Sequence, residues 1–167
     1  MNKILTILTT LLLLTSSRAQ LPSATPAPAT DCQFYIWADD SFELFINGTL
    51  TWKADDYEHT VQKTIPLRPG DVVVVSVTDK QGGPGGRFAA VILRANAVLA
   101  SSKDFRYTVK PQSGFTASPS MENLRVPDLQ SCQLSFGLGP EKQPKKAWSQ
   151  KPDHKYGVVH FKYVVPK

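Results

Sequence analysis

The chain has 167 residues, of which 41% are hydrophobic and 20% charged, and its 19 basic and 14 acidic side chains give a net charge of +5 at pH 7. This length suits one domain with a full hydrophobic core. The basic excess is too mild for the concentrated positive stripe of a nucleic-acid-binding protein, so nucleic acid is excluded as an expected partner.

The first 19 residues have the three-part layout of a secretory signal peptide. Lys3 supplies a charged start, residues 4–14 form a mostly apolar run, and the small residues Ser17 and Ala19 favour cleavage after Ala19. The alternative is a membrane anchor, but the apolar run is shorter than the about 20 residues that a span requires. No other segment of the sequence is apolar enough to cross a membrane. We therefore expect a secreted, extracellular protein.

Cleavage after residue 19 would leave 148 residues with 17 basic and 14 acidic side chains, a net charge of +3. Residues 20–30 consist mainly of Pro, Ala, Ser and Thr, a composition that cannot bury apolar surface. We expect this segment to be an extended linker. The folded domain is expected to cover residues 31–167.

The only two cysteines, Cys32 and Cys132, are separated by 100 residues. Because a secreted chain with two cysteines usually pairs them, we predict a disulfide bond between them. In the chain-entropy model such a closure contributes about 4–5 kcal/mol. The alternatives are two free thiols or an intermolecular bridge. A zinc site is not expected, because the chain has neither a CxxC pair nor a Cys/His cluster.

Short alternating or β-branched segments follow one another along the chain, with turn residues between them and no amphipathic helix of ordinary length. Strands are predicted at residues 32–38, 42–46, 49–52, 60–67, 72–78, 87–95, 105–110, 132–138 and 156–166. A short helix is the alternative at 87–95. Residues 79–86 and 139–155 are expected to be loops, and 96–130 is mixed. This pattern predicts an all-β protein, an antiparallel β-sandwich of the jelly-roll type.

Two turns carry specific signals. Asn47-Gly48 lies between alternating strands and favours positive φ at both positions, which predicts a type I′ hairpin. The same asparagine opens the sequon Asn47-Gly48-Thr49, so we predict N-glycosylation at Asn47. The Pro69-Gly70 pair has the residue order of a type II turn.

Residues 36–93 resemble the galactose-binding-like β-sandwich modules that are attached to rhamnosidases and other glycosidases and that also occur in extracellular proteins. The matching positions are Ala38-Asp39-Asp40, Phe42 to Gly48, Trp52, Leu67 to Asp71, Val72 to Val77 and Gly82 to Ile92. The closing segment, residues 147–166, is similar to a strand that begins such modules. The resemblance implies a jelly-roll sandwich. It leaves the activity open, because such modules bind carbohydrate in some proteins and brace a catalytic domain in others.

The residues that we expect near a ligand are carboxylates, loop aromatics and one arginine. Flat aromatic rings support sugar rings while polar groups bond to the hydroxyls. The candidates are Asp39, Asp40, Trp52, Tyr57, Arg87 and Trp148. For the aromatic residues the alternative is core or edge packing, and for the arginine it is a solvated side chain.

Asp39 and Asp40 make a poor catalytic pair, because adjacent strand residues point to opposite faces of a sheet. The favoured alternative is that they fix a corner by bonding backbone N–H groups, and a calcium contact is a weaker one. Asp55 and Asp56 also lie in an oxygen-rich segment, but Ca²⁺ takes six to eight oxygen ligands and the spacing is not that of an EF-hand, so a solvated loop is the favoured interpretation. Apart from this calcium alternative, we expect no cofactor.

No pattern in the chain indicates an enzyme. His59, His154 and His160 lack metal-ligand spacing, and His160 is expected on the polar face of the closing strand. There is no G-x-S-x-G motif, and the Gly-rich loop lacks the GK[ST] ending of a phosphate-binding loop.

These observations predict a secreted, non-catalytic protein that binds a glycan or matrix polysaccharide, for example in a shell, cuticle or mucus matrix. One alternative is a structural protein that assembles with itself without recognising sugar. A glycoside hydrolase, or an accessory module of one, is less favoured. The sequence does not predict the oligomeric state.

Overall fold

A computed structural model describes residues 27–55, 59–80, 87–132, 136–149 and 157–167. In these residues the chain forms eleven strands and two short 3₁₀ turns, at Ser102–Asp104 and Pro140–Lys142. The strands are β1 (Thr30–Asp39), β2 (Ser41–Ile46), β3 (Thr49–Ala54), β4 (Val61–Leu67), β5 (Val72–Thr78), β6 (Arg87–Arg94), β7 (Ala97–Ser101), β8 (Arg106–Thr108), β9 (Asp128–Gln130), β10 (Lys146–Trp148) and β11 (Val158–Val164).

The strands form two antiparallel sheets. The first sheet has the order β4-β1-β6-β10-β9, and β7 also pairs with β6. The second sheet has the order β3-β2-β5-β11-β8. The predicted all-β sandwich is confirmed. Residues 87–95, for which a helix was the alternative, contain strand β6.

The core lies between the two sheets, because alternate side chains of each strand point inward. Phe34 and Ile36 of β1 and Val73 and Val75 of β5 belong to one buried cluster. The β-branched run of β5, which predicted a central strand, pairs with β2 on one side and β11 on the other.

Aromatic packing joins the two sheets at the centre of this core. Phe88 of β6 and Phe161 of β11 stack with ring centroids 4.5 Å apart. Phe105 meets Phe88 edge to face at 5.5 Å. Offset and edge-to-face pairs of this kind add about 0.5–1.5 kcal/mol each beyond the apolar area that they bury.

The predicted β2–β3 hairpin has the expected turn. Asn47 and Gly48 have φ of 50° and 84°, as a type I′ turn requires. The Asn47 side chain also ties the turn to β5, because its Oδ1 accepts from the Val72 N–H and its Nδ2 donates to Asp71 Oδ1, both at 2.8 Å. Asp71 in turn accepts from the Arg68 N–H and closes the neighbouring turn, where Gly70 has φ of 86°.

Loops cover part of each sheet's outer face. On the first sheet, Phe136 packs against a second apolar cluster that contains Trp37, Val91 and Leu93. On the second sheet, Phe115 lies against residues of β11. We call residues 111–124 the covering loop.

Several strand boundaries differ from the prediction. Among the described residues of 132–138, none is in a strand, and 133–135 lie outside the described residues. Three short strands, β7, β9 and β10, were not predicted. Strands of three to five residues with mixed polarity lack enough repeats for the alternation to be recognised.

The prediction of a disulfide bond is wrong, because Cys32 and Cys132 are both free. The physical reason is their placement on opposite faces of the first sheet. Cys32 belongs to the core between the sheets, whereas Cys132 packs against the apolar cluster on the outer face. The backbone of the first sheet therefore separates the two thiols.

Candidate functional site

Three of the residues predicted from the sequence meet at one end of the first sheet. Asp39 ends β1, and its Cα partner across the sheet is Arg87, the first residue of β6. Asp40 follows at the corner between β1 and β2, and the Asp39–Asp40 peptide bond is cis. Asp40 Oδ2 accepts from the Lys80 N–H at 2.7 Å, and its own N–H donates to the Thr78 carbonyl at 2.8 Å. These contacts of Asp40 agree with a role in forming the corner, which the sequence favoured over a role in catalysis or ligand binding.

Charges of both signs surround the Asp39 carboxyl group at this corner. Burial raises the pKa of Asp39, and the nearby carboxylates of Asp40 and Asp79 raise it further, while Arg87 and Lys146 oppose the shift. Lys146 also makes a cation–π contact, since its Nζ lies 4.9 Å from the centroid of the Trp37 ring. Among the described residues, no group of three or more acidic, histidine or cysteine side chains is arranged to hold a metal ion.

Two of the predicted aromatic residues, Trp52 and Trp148, pack against the core. Trp148 lies in β10 rather than in a loop, is 5% exposed, and packs in the core near Phe161. Trp52 is half-buried, meets Phe42 edge to face at 5.0 Å, and packs against the same core. Tyr57 lies outside the described residues. Both candidate tryptophans thus have the packing role that the sequence left as the alternative.

A different set of polar residues lines up on the outer face of the second sheet. Because directly paired residues of antiparallel strands lie side by side, the cross-strand register forms a continuous row. Lys53 pairs with Glu43, Glu43 with Ser76, Ser76 with His160, and His160 with Thr108. The row crosses all five strands of the sheet. It is the longest polar feature that the described register produces on this face.

The centre of this row is a direct contact between Ser76 and His160. Ser76 Oγ and His160 Nδ1 are 2.8 Å apart, and either group can be the donor, depending on the imidazole tautomer. Burial lowers the pKa of His160 and so favours the uncharged form of the ring. The second ring nitrogen, Nε2, has no hydrogen-bond partner among the described residues and is not a fully buried atom.

The covering loop turns this face into a groove of about 440 Å³. We call it the His160 groove. Its lining residues come from three strands and the covering loop: Glu43, Phe45, Ser76, Thr78, Val158, His160, Pro111, Gln112, Gly114, Phe115 and Thr116. This volume lies within the range of about 300–1,000 Å³ that is typical of small-molecule sites.

A buried lysine holds the covering loop in place. Lys162 is 1% exposed, and its Nζ donates to the carbonyl oxygens of Ser118 and Ser120 at 3.0 and 3.4 Å. The same Nζ lies 3.8 Å from the centroid of the Phe115 ring, which is a close cation–π contact. Burial lowers the pKa of this ammonium group. The covering loop also approaches the β2–β3 turn, where Ala117 lies close to Gly48.

Sequence reasoning missed this constellation, although part of the signal was present. Ser76 interrupts the run "VVVVSV", and His160 interrupts the apolar closing strand. A single polar residue in such a run indicates a polar position on one face of a strand. The pairing of β5 with β11 brings together residues that are 84 positions apart, and that pairing was not predictable from local pattern.

No protein-family model, curated protein or solved structure matches this chain. Within the described ranges, no helix is long and apolar enough to cross a membrane.

Proposed function

We propose that this chain is a secreted, non-catalytic extracellular protein that binds a glycan or matrix polysaccharide. The observation that carries the proposal is the His160 groove. Its half-buried rings, Phe45 and Phe115, supply apolar surface for a sugar face, and Glu43, Ser76 and His160 supply hydrogen-bonding groups for hydroxyls. A few convergent polar groups beside aromatic surface are typical of small-ligand sites.

Extracellular placement rests on the signal-peptide pattern of residues 1–19 and on the sequon at Asn47. Asn47 is exposed on a hairpin turn, and its Nδ2 carries two hydrogens, of which Asp71 uses one. Attachment of a glycan replaces one hydrogen and leaves the other for Asp71. The exposed position supports glycosylation at this turn.

The proposed kinship with galactose-binding-like modules rests on the motifs of residues 36–93. Their strands β1 to β6 contribute to both sheets of an antiparallel sandwich, the architecture that the resemblance implies. The proposed ligand-binding residues differ from those motifs, because the His160 groove depends on β11 and the covering loop as well.

The groove suits binding better than nucleophilic catalysis. In a Ser-His-acid triad the carboxylate orients the histidine from the side away from the serine. Here Ser76 lies between Glu43 and His160 in the cross-strand row. Glu43 is therefore not placed to orient the imidazole, and Ser76 sits within a central strand whose backbone pairs on both sides.

Polysaccharide retention by the purified protein tests this function. We expect Phe45→Ala and His160→Gln each to weaken retention about tenfold or more while the protein stays folded, because each removes a direct ligand contact. Tyr35→Ala is the matched control, since Tyr35 is a half-buried ring on the outer face of the first sheet. Circular dichroism and urea unfolding monitor the fold.

Failure of the wild-type protein to retain any polysaccharide at low salt would refute the proposal. Retention that Phe45→Ala and His160→Gln leave unchanged would refute the location of the site. A self-assembling matrix protein without sugar recognition would instead sediment as concentration-dependent oligomers and retain no polymer.

A further inference from the structure

The His160 groove offers no cation to a ligand. Its lining contains one carboxylate, Glu43, and no lysine or arginine among the described residues. Lys162 lies in the next row of β11, but the carbonyls of Ser118 and Ser120 and the ring of Phe115 enclose its ammonium group. A sulfate or carboxylate group in the groove would therefore face the Glu43 carboxylate, because the exposed Lys53 that pairs with Glu43 lies outside the lining.

The same lining can bond to hydroxyl groups whichever way its protons are arranged. If Ser76 donates to His160 Nδ1, Nε2 carries the ring proton and donates; in the other tautomer Nε2 accepts. A sugar hydroxyl is both donor and acceptor, so it can bond to Nε2 in either case. The Glu43 carboxylate adds strong acceptors for hydroxyl protons.

We propose that the His160 groove selects uncharged sugar units, such as neutral hexoses or pentoses, and rejects uronic acids and sulfated sugars. This inference rests on the proposed function and names the ligand class of the same site. Glu43 is the specificity-determining residue, and His160 is a hydroxyl-binding residue.

A neutral polymer and an acidic polymer of related sugars test the selection. Galactan and polygalacturonate are suitable probes, because the second replaces the hydroxymethyl group of the sugar with a carboxylate. Retention is measured at about 0.15 M salt, where the Debye length of about 8 Å screens non-specific attraction to surface lysines. We expect galactan, or another neutral polymer in the same panel, to be retained at least tenfold more strongly than polygalacturonate or chondroitin sulfate.

Glu43→Gln tests the cause of the selection, because it removes the charge and keeps a hydrogen-bonding side chain of the same length. We expect it to reduce the preference for neutral over acidic polymer several-fold, while Glu141→Gln, in the exposed 3₁₀ turn, leaves the preference unchanged. His160→Gln should weaken retention of neutral polymer about tenfold.

The outcomes separate the two proposals. Preferential retention of acidic polymers would overturn the inference and leave the proposed function standing. Selection for neutral polymer that survives both Glu43→Gln and His160→Gln, with the fold intact, would also overturn it. Retention of no polymer at all would overturn the function and the inference together.

Discussion

Gly48 occupies the second position of the β2–β3 turn with φ of 84°, and a Cβ atom there would lie 3.1 Å from the Cβ of Ala117. Gly70 has nearly the same φ, 86°, but open space around it. We expect Gly70→Ala to reduce the free energy of unfolding by about 1 kcal/mol through the left-handed backbone alone. Gly48→Ala should cost about 2 kcal/mol, because it adds a steric contact with the covering loop.

Urea unfolding of the two glycine variants measures this difference. Equal losses would show that the covering loop does not rest on the turn. A larger loss for Gly70→Ala would contradict the predicted contact outright.

His160 should make stability depend on pH. Burial lowers its pKa below the ordinary value of 6.5, so below that pH the unfolded chain binds a proton more readily than the folded one. The free energy of unfolding should therefore fall as the pH decreases from about 6.5 through the lowered folded-state pKa. Urea unfolding of wild type and His160→Gln between pH 7 and 5 would measure the effect.

The histidine variant should flatten that part of the stability curve. An unchanged slope in His160→Gln would contradict the prediction.

At the scale of elements, Lys162 fixes the covering loop to β11. Lys162→Met keeps the length of the side chain but removes the donor to Ser118 and Ser120 and the cation facing Phe115. We expect a small change in global stability, within about 1 kcal/mol, because the desolvation cost of the buried charge disappears together with its hydrogen bonds.

Local order should change more than global stability in this variant. Hydrogen exchange of residues 111–124 should become faster, while exchange in β5 stays slow. Lys53→Met, at an exposed position of the same sheet, should leave both unchanged. Protection of the covering loop equal to that of wild type would refute the role of Lys162.

Element by element, the sequence predicted the long strands better than the short ones. The alternation in β2 was sufficient because one buried face dictates the period of its side chains, and the β-branched run of β5 was sufficient because both faces of that strand are buried. The Asn47-Gly48 turn was equally predictable, since few residues accept positive φ. Strand β10 was missed because three residues carry no period, and Trp148 was consequently expected in a loop.

For the whole molecule, closure of the sandwich depends on packing rather than on a covalent link. Cys32 and Cys132 are free, with Cys32 fully buried and Cys132 partly exposed. We expect a reductant to leave the unfolding temperature unchanged. In the native protein a thiol reagent should label Cys132 first, and Cys32 only after unfolding.

Mass spectrometry after labelling without reductant checks the thiols directly. Two labelled cysteines in the denatured protein are expected. Labelling of neither cysteine before reduction, in a protein that stays monomeric without reductant, would establish a disulfide bond between Cys32 and Cys132 and contradict their placement on opposite faces of the first sheet.

The sequence by itself determined the fold class, the main strands and the two positive-φ turns, because these follow from side-chain period and from backbone conformational preference. It also determined the signal pattern and the glycosylation sequon as local motifs. Only the tertiary structure decided that Cys32 and Cys132 lie on opposite faces of one sheet and that Trp148 is buried. It alone placed Ser76 beside His160, because cross-strand partners are set by which strands become neighbours, and that choice depends on packing of the whole core.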